Sequence, residues 1–154
     1  MGKQGLITHI LAPIDGSETS MLAGRFTIQL ALIHEARVTF LYVVDTAVVE
    51  EIAGAISRTP ESIHQDLENK GKSYMDYFTH LAEEKNLHAQ QIIRQGIPHS
   101  EIPNAARELG VDMIVIGRVG SHGPRSVAIG RVAERVIERA HCPVLVVSHI
   151  PTHR

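Results

Sequence analysis

Residues 112–137, DMIVIGRVGSHGPRSVAIGRVAERVI, decide how this chain is read. The apolar run Met113 to Ile116 stops at Gly117 and opens into a stretch with glycines at 117, 120, 123 and 130, after which apolar residues resume at helical spacing. The order is strand, glycine-rich loop, helix. Glycine lets backbone N–H groups approach an anion with no Cβ in the way, and the first turn of a helix offers unpaired N–H donors and a partial positive charge. The loop is therefore a candidate phosphate cradle. It is neither of two common kinds. A Walker loop needs Gly-x4-Gly-Lys-Ser/Thr, and no lysine follows Lys85; a dinucleotide fingerprint needs Gly-x-Gly-x-x-Gly, and Gly117, Gly120 and Gly123 are spaced more widely. The spacing present is Gly-x2-Gly-x9-Gly, from Gly117, Gly120 and Gly130.

Outward from this stretch, the same alternation recurs. Downstream, a helix from about Gly130 to Ala140 is followed by a strand, Pro143 to Val147. Upstream, Leu6 to Ile14 reads as a strand buried on both faces and stops at Asp15-Gly16-Ser17. Ser17 caps a helix through about residue 35, with Met21, Leu22, Ile28, Leu32 and Ile33 as its apolar stripe. VTFLYVVD (38–45) is a second buried strand ending at Asp45. Residues 46–60 carry a weak signal, that of a mobile connection or a short helix. Thr59-Pro60 then opens a helix to about Lys85, with Ile63, Leu67, Tyr74, Phe78 and Leu81 on one stripe and Gly71 weakening its middle. Ala89 to Arg94 is the third strand. Pro98 through Leu109 is a helix closed by Gly110, with Pro103 liable to shift its start. Five strands alternating with helices predict an α/β protein: one doubly wound parallel sheet with helices on both faces and right-handed crossovers.

Size and composition narrow the function. At 154 residues the chain fits one domain, taken as 1–149, with a frayed tail at 150–154. Hydrophobic residues at 44% and charged residues at 21% are those of a soluble globular protein. Aromatics at 4%, with no Trp, argue against a base-stacking surface, and a net charge of −2 gives no electrostatic footprint for nucleic acid or an acidic membrane. The single cysteine, Cys142, reads as a buried inert thiol in a reducing compartment. The N-terminal stretch, broken by His9 and Pro13, has neither a signal-peptide core nor the length to span a bilayer, so the expected location is cytoplasmic.

In open parallel sheets ligands settle outside the carboxyl ends of the strands, where strand order reverses. If strands one and four are neighbours, Asp15 faces the glycine loop across that crevice. A carboxylate there accepts two hydrogen bonds from a ribose diol; the alternative for Asp15 is a turn and helix cap before Gly16.

Five stretches add to this pattern: ILAPIDGSETS (10–20), LYVVD (41–45), QGIPHSEI (95–102), DMIVIGRVG (112–120) and GRVAERVIERAHCPVLVV (130–147). In this order, with the glycine spacing above, they resemble the universal stress protein family over nearly the whole chain. The resemblance implies a Rossmann-like sheet of order 3-2-1-4-5, with ATP or AMP between strands one and four and Mg or Mn carried through the phosphates. It places Ala12, Pro13 and Asp15 along the adenosine, Asp15 near the ribose, and Val43 against adenine through its backbone. Ile116 and Gly117 would lie near adenosine, and Gly120, Gly130, Arg131 and Val132 would line the phosphates. It also implies a homodimer along the fifth strand, at Val144 and Val146. In the family Ser or Thr usually follows the last glycine; here Arg131 does, with a longer, permanently charged fork expected to pair with a β- or γ-phosphate, the alternatives being that it fills the site or turns to solvent.

Other chemistries find little support. The ten histidines are scattered, with no HExxH and no cysteine pair, so no protein metal centre is expected. His122 lies in the glycine loop, placed either to touch a phosphate or its metal ion or to serve as a plain loop residue. Ser121 lacks the Gly-x-Ser-x-Gly elbow, and no base stands out to orient a water. The expected function is binding of ATP or AMP by a sensing or regulatory module of the stress response, without catalytic residues. Two alternatives stand beside it: a nucleotide-free dimeric module that docks a regulatory protein partner, and a slow ATP hydrolase.

Overall fold

β-Branched and aromatic residues that alternate across two apolar faces build the centre of the sheet. In β2 (Arg37–Asp45) Val38, Phe40, Tyr42 and Val44 enter one core, while Leu41 and Val43 enter the other. The computed structural model describes residues 5–120 and 128–149. Its other strands are β1 (His9–Pro13), β3 (Ala89–Gly96), β4 (Met113–Gly117) and β5 (Val144–Val147). All are parallel, in the order β3-β2-β1-β4-β5. The order reverses between β1 and β4, paired as Ile10↔Met113 and Leu11↔Ile114, so the crevice falls where the sequence expects it.

Helices α1 (Glu18–His34) and α3 (Pro60–Glu84) cover one face, and α4 (Pro98–Leu109) and α5 (Arg131–Arg139) the other. Each face has its own apolar cluster. The caps follow the sequence closely. Thr59 accepts the Ser62 N–H at 3.1 Å with Pro60 behind it, and Gly110 closes α4 at φ 63°. Pro103, which lacks the N–H for the preceding turn, sits inside α4 without displacing its start.

Three local expectations are refined. The weak stretch after β2 is the helix α2 (Thr46–Ala55), begun by the Asp45 carboxylate, which accepts from the N–H groups of Ala47 and Val48 at 3.0 and 3.4 Å. Only Val49 of this helix is buried, which explains why its periodicity is faint. In α1 the buried face is made of small residues, Ser20, Ala23, Gly24, Thr27 and Ala31 with Ile28, whereas Leu32 and Ile33 of the expected stripe are 40% and 76% exposed. Gly71 serves α3 as a socket: a Cβ there would stand 2.2 Å from the Tyr42 ring. The expected tail at 150–154 lies outside the described residues. Among those described, no helix is long and apolar enough to cross a membrane.

Candidate functional site

The β1–α1 turn is built by its own side chains. Asp15 Oδ1 accepts the Ser17 N–H at 2.9 Å, Ser17 Oγ accepts the Ser20 N–H at 3.3 Å, and Ser20 Oγ in turn accepts the Asp15 N–H at 3.3 Å. Gly16 adopts φ +85° with the Tyr74 ring where a Cβ would be, so no other residue fits comfortably. The turn role weighed as the alternative for Asp15 is thus present, the helix cap falling to Ser17, and it engages one carboxylate oxygen. The other, Oδ2, lies 2.9 Å from the position a Cβ would take on Gly120. Two stretches separated by a hundred residues thus meet at the carboxyl ends of β1 and β4.

On the far side of the crevice the chain leaves β4 and returns to the same place. The Arg118 N–H donates to the Val147 carbonyl at 2.9 Å, and the Gly130 N–H donates to the Arg118 carbonyl at 2.7 Å. Arg118 Nη1 also donates to the Ala128 carbonyl at 3.3 Å. Gly130 is the N-cap of α5 and brings no capping side chain, and exposed Arg131 is the first helical residue. This end therefore points backbone donors and a guanidinium outward, chemistry suited to an anion.

The three spaced glycines prove to do different jobs. A Cβ on Gly117 would strike the first turn of α1, 2.6 Å from Ser20 N, so this glycine lets the helix press on β4. A Cβ on Gly130 would crowd the Arg118 carbonyl at 3.1 Å, at the neck of the loop. Gly120 alone of the three faces Asp15. Val43, Ile116 and Val132 join one apolar cluster on the α4/α5 face. Pro13 is buried in β1, and the Ala12 side chain belongs to the opposite core, so Ala12 offers the crevice only backbone. His122 lies outside the described residues.

Two residues near the crevice escape a reading of the sequence. Tyr74, expected only as part of a helix stripe, walls the Asp15–Gly16 turn. Beside it burial pushes the Tyr42 hydroxyl up to about 12, with Tyr74, Asp15 and Asp45 adding to the effect. Thr19 bonds both backbone groups of Val119, a contact across a hundred residues that no local pattern announces. Two open depressions of about 460 and 450 Å³ lie elsewhere, around Arg37 and Asn86 and around His64 and Arg94. Neither is lined by Asp15 or Gly120. Among the described residues no group of three His, Cys, Asp or Glu side chains is placed to hold a metal ion.

The model of the universal stress protein family matches residues 7–148. Universal stress protein MJ0531 of Methanocaldococcus jannaschii is 35% identical over 144 residues, 94% of this chain and 84% of its own. Universal stress protein YxiE of Bacillus subtilis is 32% identical over 92% of this chain and 99% of its own. The solved structure of MJ0577, also from M. jannaschii, superposes with a TM-score of 0.81 at 28% identity, covering 96% of this chain and 99% of that one. Two more distant relatives share the fold. One, from Arabidopsis thaliana, was solved with AMP bound (17% identity, TM-score 0.68, 93% and 92% covered). The other, from Archaeoglobus fulgidus, was solved with dAMP (17%, 0.66, 92% and 98%).

Proposed function

This chain belongs to the universal stress protein family, and we propose that it binds an adenine nucleotide, ATP or AMP, in the crevice between β1 and β4 as a sensing or regulatory module. The observation that carries the reading is the approach of Asp15 Oδ2 to Gly120, which sets an acceptor for a ribose diol near Gly130 and the uncapped N–H groups that begin α5. The AMP and dAMP complexes of relatives with this fold lend it support.

In this reading Asp15 bonds the ribose, Val43 meets the adenine through its backbone, Ile116 and Gly117 lie near the adenosine, and Gly120, Gly130, Arg131 and Val132 line the phosphates. The residues present fit such a ligand: Gly120 carries no side chain toward Asp15, and the start of α5 has donors to offer. A divalent ion would ride on the phosphates rather than on a protein site. Binding without turnover is the expected state, since hydrolysis needs a group to orient water and none of the described crevice residues is set for that work. β5, at the sheet edge, is the proposed homodimer contact, because an edge strand leaves a row of backbone groups to pair.

The test is equilibrium binding of ATP, ADP, AMP and adenosine, with and without Mg²⁺, to protein whose mass is followed by sedimentation. Saturable binding of AMP or ATP with a dimer supports the reading. Absence of binding by any of the four favours a nucleotide-free interaction module, and a monomer at micromolar protein removes the edge contact.

A further inference from the structure

We propose that Thr19 is a positioning residue for this site: its one hydroxyl grips both backbone groups of Val119 and so sets where the chain after β4 stands relative to Asp15. The inference rests on the nucleotide reading above and names the part of α1 that ties the two walls of the crevice together.

Thr19 Oγ1 donates to the Val119 carbonyl at 2.7 Å and accepts the Val119 N–H at 3.2 Å. A hydroxyl has one proton and two lone pairs, so one oxygen can make both bonds, and a methyl in its place makes neither. The task is not the ordinary one for a threonine in a first helical turn, where side chains bond their own helix backbone. That local role belongs to Ser17, the N-cap of α1. Thr19 instead reaches across the sequence.

What it holds matters because of where it acts. The sheet's hydrogen bonding along this chain continues to the Arg118 N–H, which donates to Val147. Val119 is the next residue, almost wholly buried, and both its backbone groups need partners there. Thr19 supplies them as a further rung would. The residue after Val119 is Gly120, which faces the Asp15 carboxylate, and Asp15 and Thr19 stand four positions apart on one turn and helix start. Gly117 lets that helix start press on β4. The clasp therefore ties the ribose-side carboxylate and the phosphate-side backbone together, whereas Val43 in β2 and Ile116 in β4 are held by the sheet's own pairing. Loosening it should disturb the phosphate end of a ligand before the adenosine end.

The experiment compares the parent, Thr19→Val, which keeps the shape without the hydroxyl, and Thr19→Ser, which restores the hydroxyl. AMP and adenosine affinities are measured for each, with amide hydrogen exchange at Val119 and Gly120 in the free protein. Loss of both bonds is expected to weaken AMP about tenfold in Thr19→Val, to leave adenosine within about twofold, and to speed exchange at Val119. Thr19→Ser should return all three toward the parent. Three results would each overturn the role: Thr19→Val binding AMP as the parent does, equal losses for AMP and adenosine, or no rescue by serine. A parent that binds no adenine nucleotide would sink the nucleotide reading itself, and this inference with it.

Discussion

Arg131 stands at the first position of α5, exposed, directly after the N-cap Gly130 and beside a neck already closed by Arg118. A guanidinium here differs from a hydroxyl in reach and in permanent charge. Placed at a helix start, it adds to the field that favours anions instead of merely supplying one donor. Removing it should therefore cost more for a ligand with a long phosphate chain than for one with none. For Arg131→Ala we expect ATP affinity to fall about tenfold or more, as for loss of a charge-assisted hydrogen bond, with adenosine unchanged, measured by equilibrium titration at fixed ionic strength. Equal ATP affinities in variant and parent would exclude a phosphate contact. The sequence alone flagged this residue, because it replaces a hydroxyl in the family pattern. It could not flag Thr19, whose partner is a backbone far along the chain.

At the scale of elements, α1 and α3 show how small residues carry packing. α3 runs past β2 with Gly71 over the Tyr42 ring, and Gly24 of α1 similarly receives Phe78, whose ring stacks on Phe40 at 5.2 Å between centroids. Propensity argues that Gly71→Ala should gain about 1 kcal/mol in a helix interior. Packing argues the reverse, since the new methyl would overlap a buried ring at 2.2 Å, and overpacking costs about 1–3 kcal/mol. The overlap falls on a ring only 7% exposed in the core, so packing wins and the variant should show a lower midpoint than the parent in a urea titration; a higher midpoint would show that Tyr42 turns aside at little cost. The strand runs, Thr59-Pro60 and Gly110 were legible because each acts within a few residues. The buried face of α1 was not, because a reading of large apolar residues looks past Ala23, Gly24 and Thr27, which are buried by closeness to the sheet.

The molecule as a whole carries a pH dependence at the end of the sheet opposite the crevice. His9, 3% exposed, shares a hydrogen bond of 2.7 Å between Nε2 and Thr39 Oγ1, and its Nδ1 is buried without a protein partner among the described residues. Burial, then the charge of Arg37, holds this imidazole below its ordinary 6.5, with Asp112 opposing and His88 adding slightly. The unfolded chain takes up a proton below about 6.5 that the folded protein resists, so stability falls as pH drops through that region. Asp112 acts lower down. It accepts from Thr8 Oγ1, Thr8 N–H and His9 N–H at 2.6, 2.8 and 2.9 Å, and these bonds, the hydroxyl's first, hold its carboxyl below 3.8. Its contribution is present above that value and is lost as pH falls through the folded one. The urea midpoint should decline from pH 7 to pH 5, and His9→Gln should flatten that decline; an unchanged slope in the variant would assign the effect elsewhere.

The sequence by itself determined the alternation of strands and helices, their two-sided burial and the presence of a glycine loop after the fourth strand, because periodicity, caps and turns are properties of neighbouring residues. Only the tertiary structure decided which glycine faces the crevice, which oxygen of Asp15 is committed to its own turn, and that Thr19 fastens the two halves together. The Asp15–Gly120 approach and the Thr19 clasp join residues about a hundred positions apart and exist only once the sheet has set β1 beside β4, and it is that approach which separates Asp15 Oδ2 from the oxygen its own turn engages.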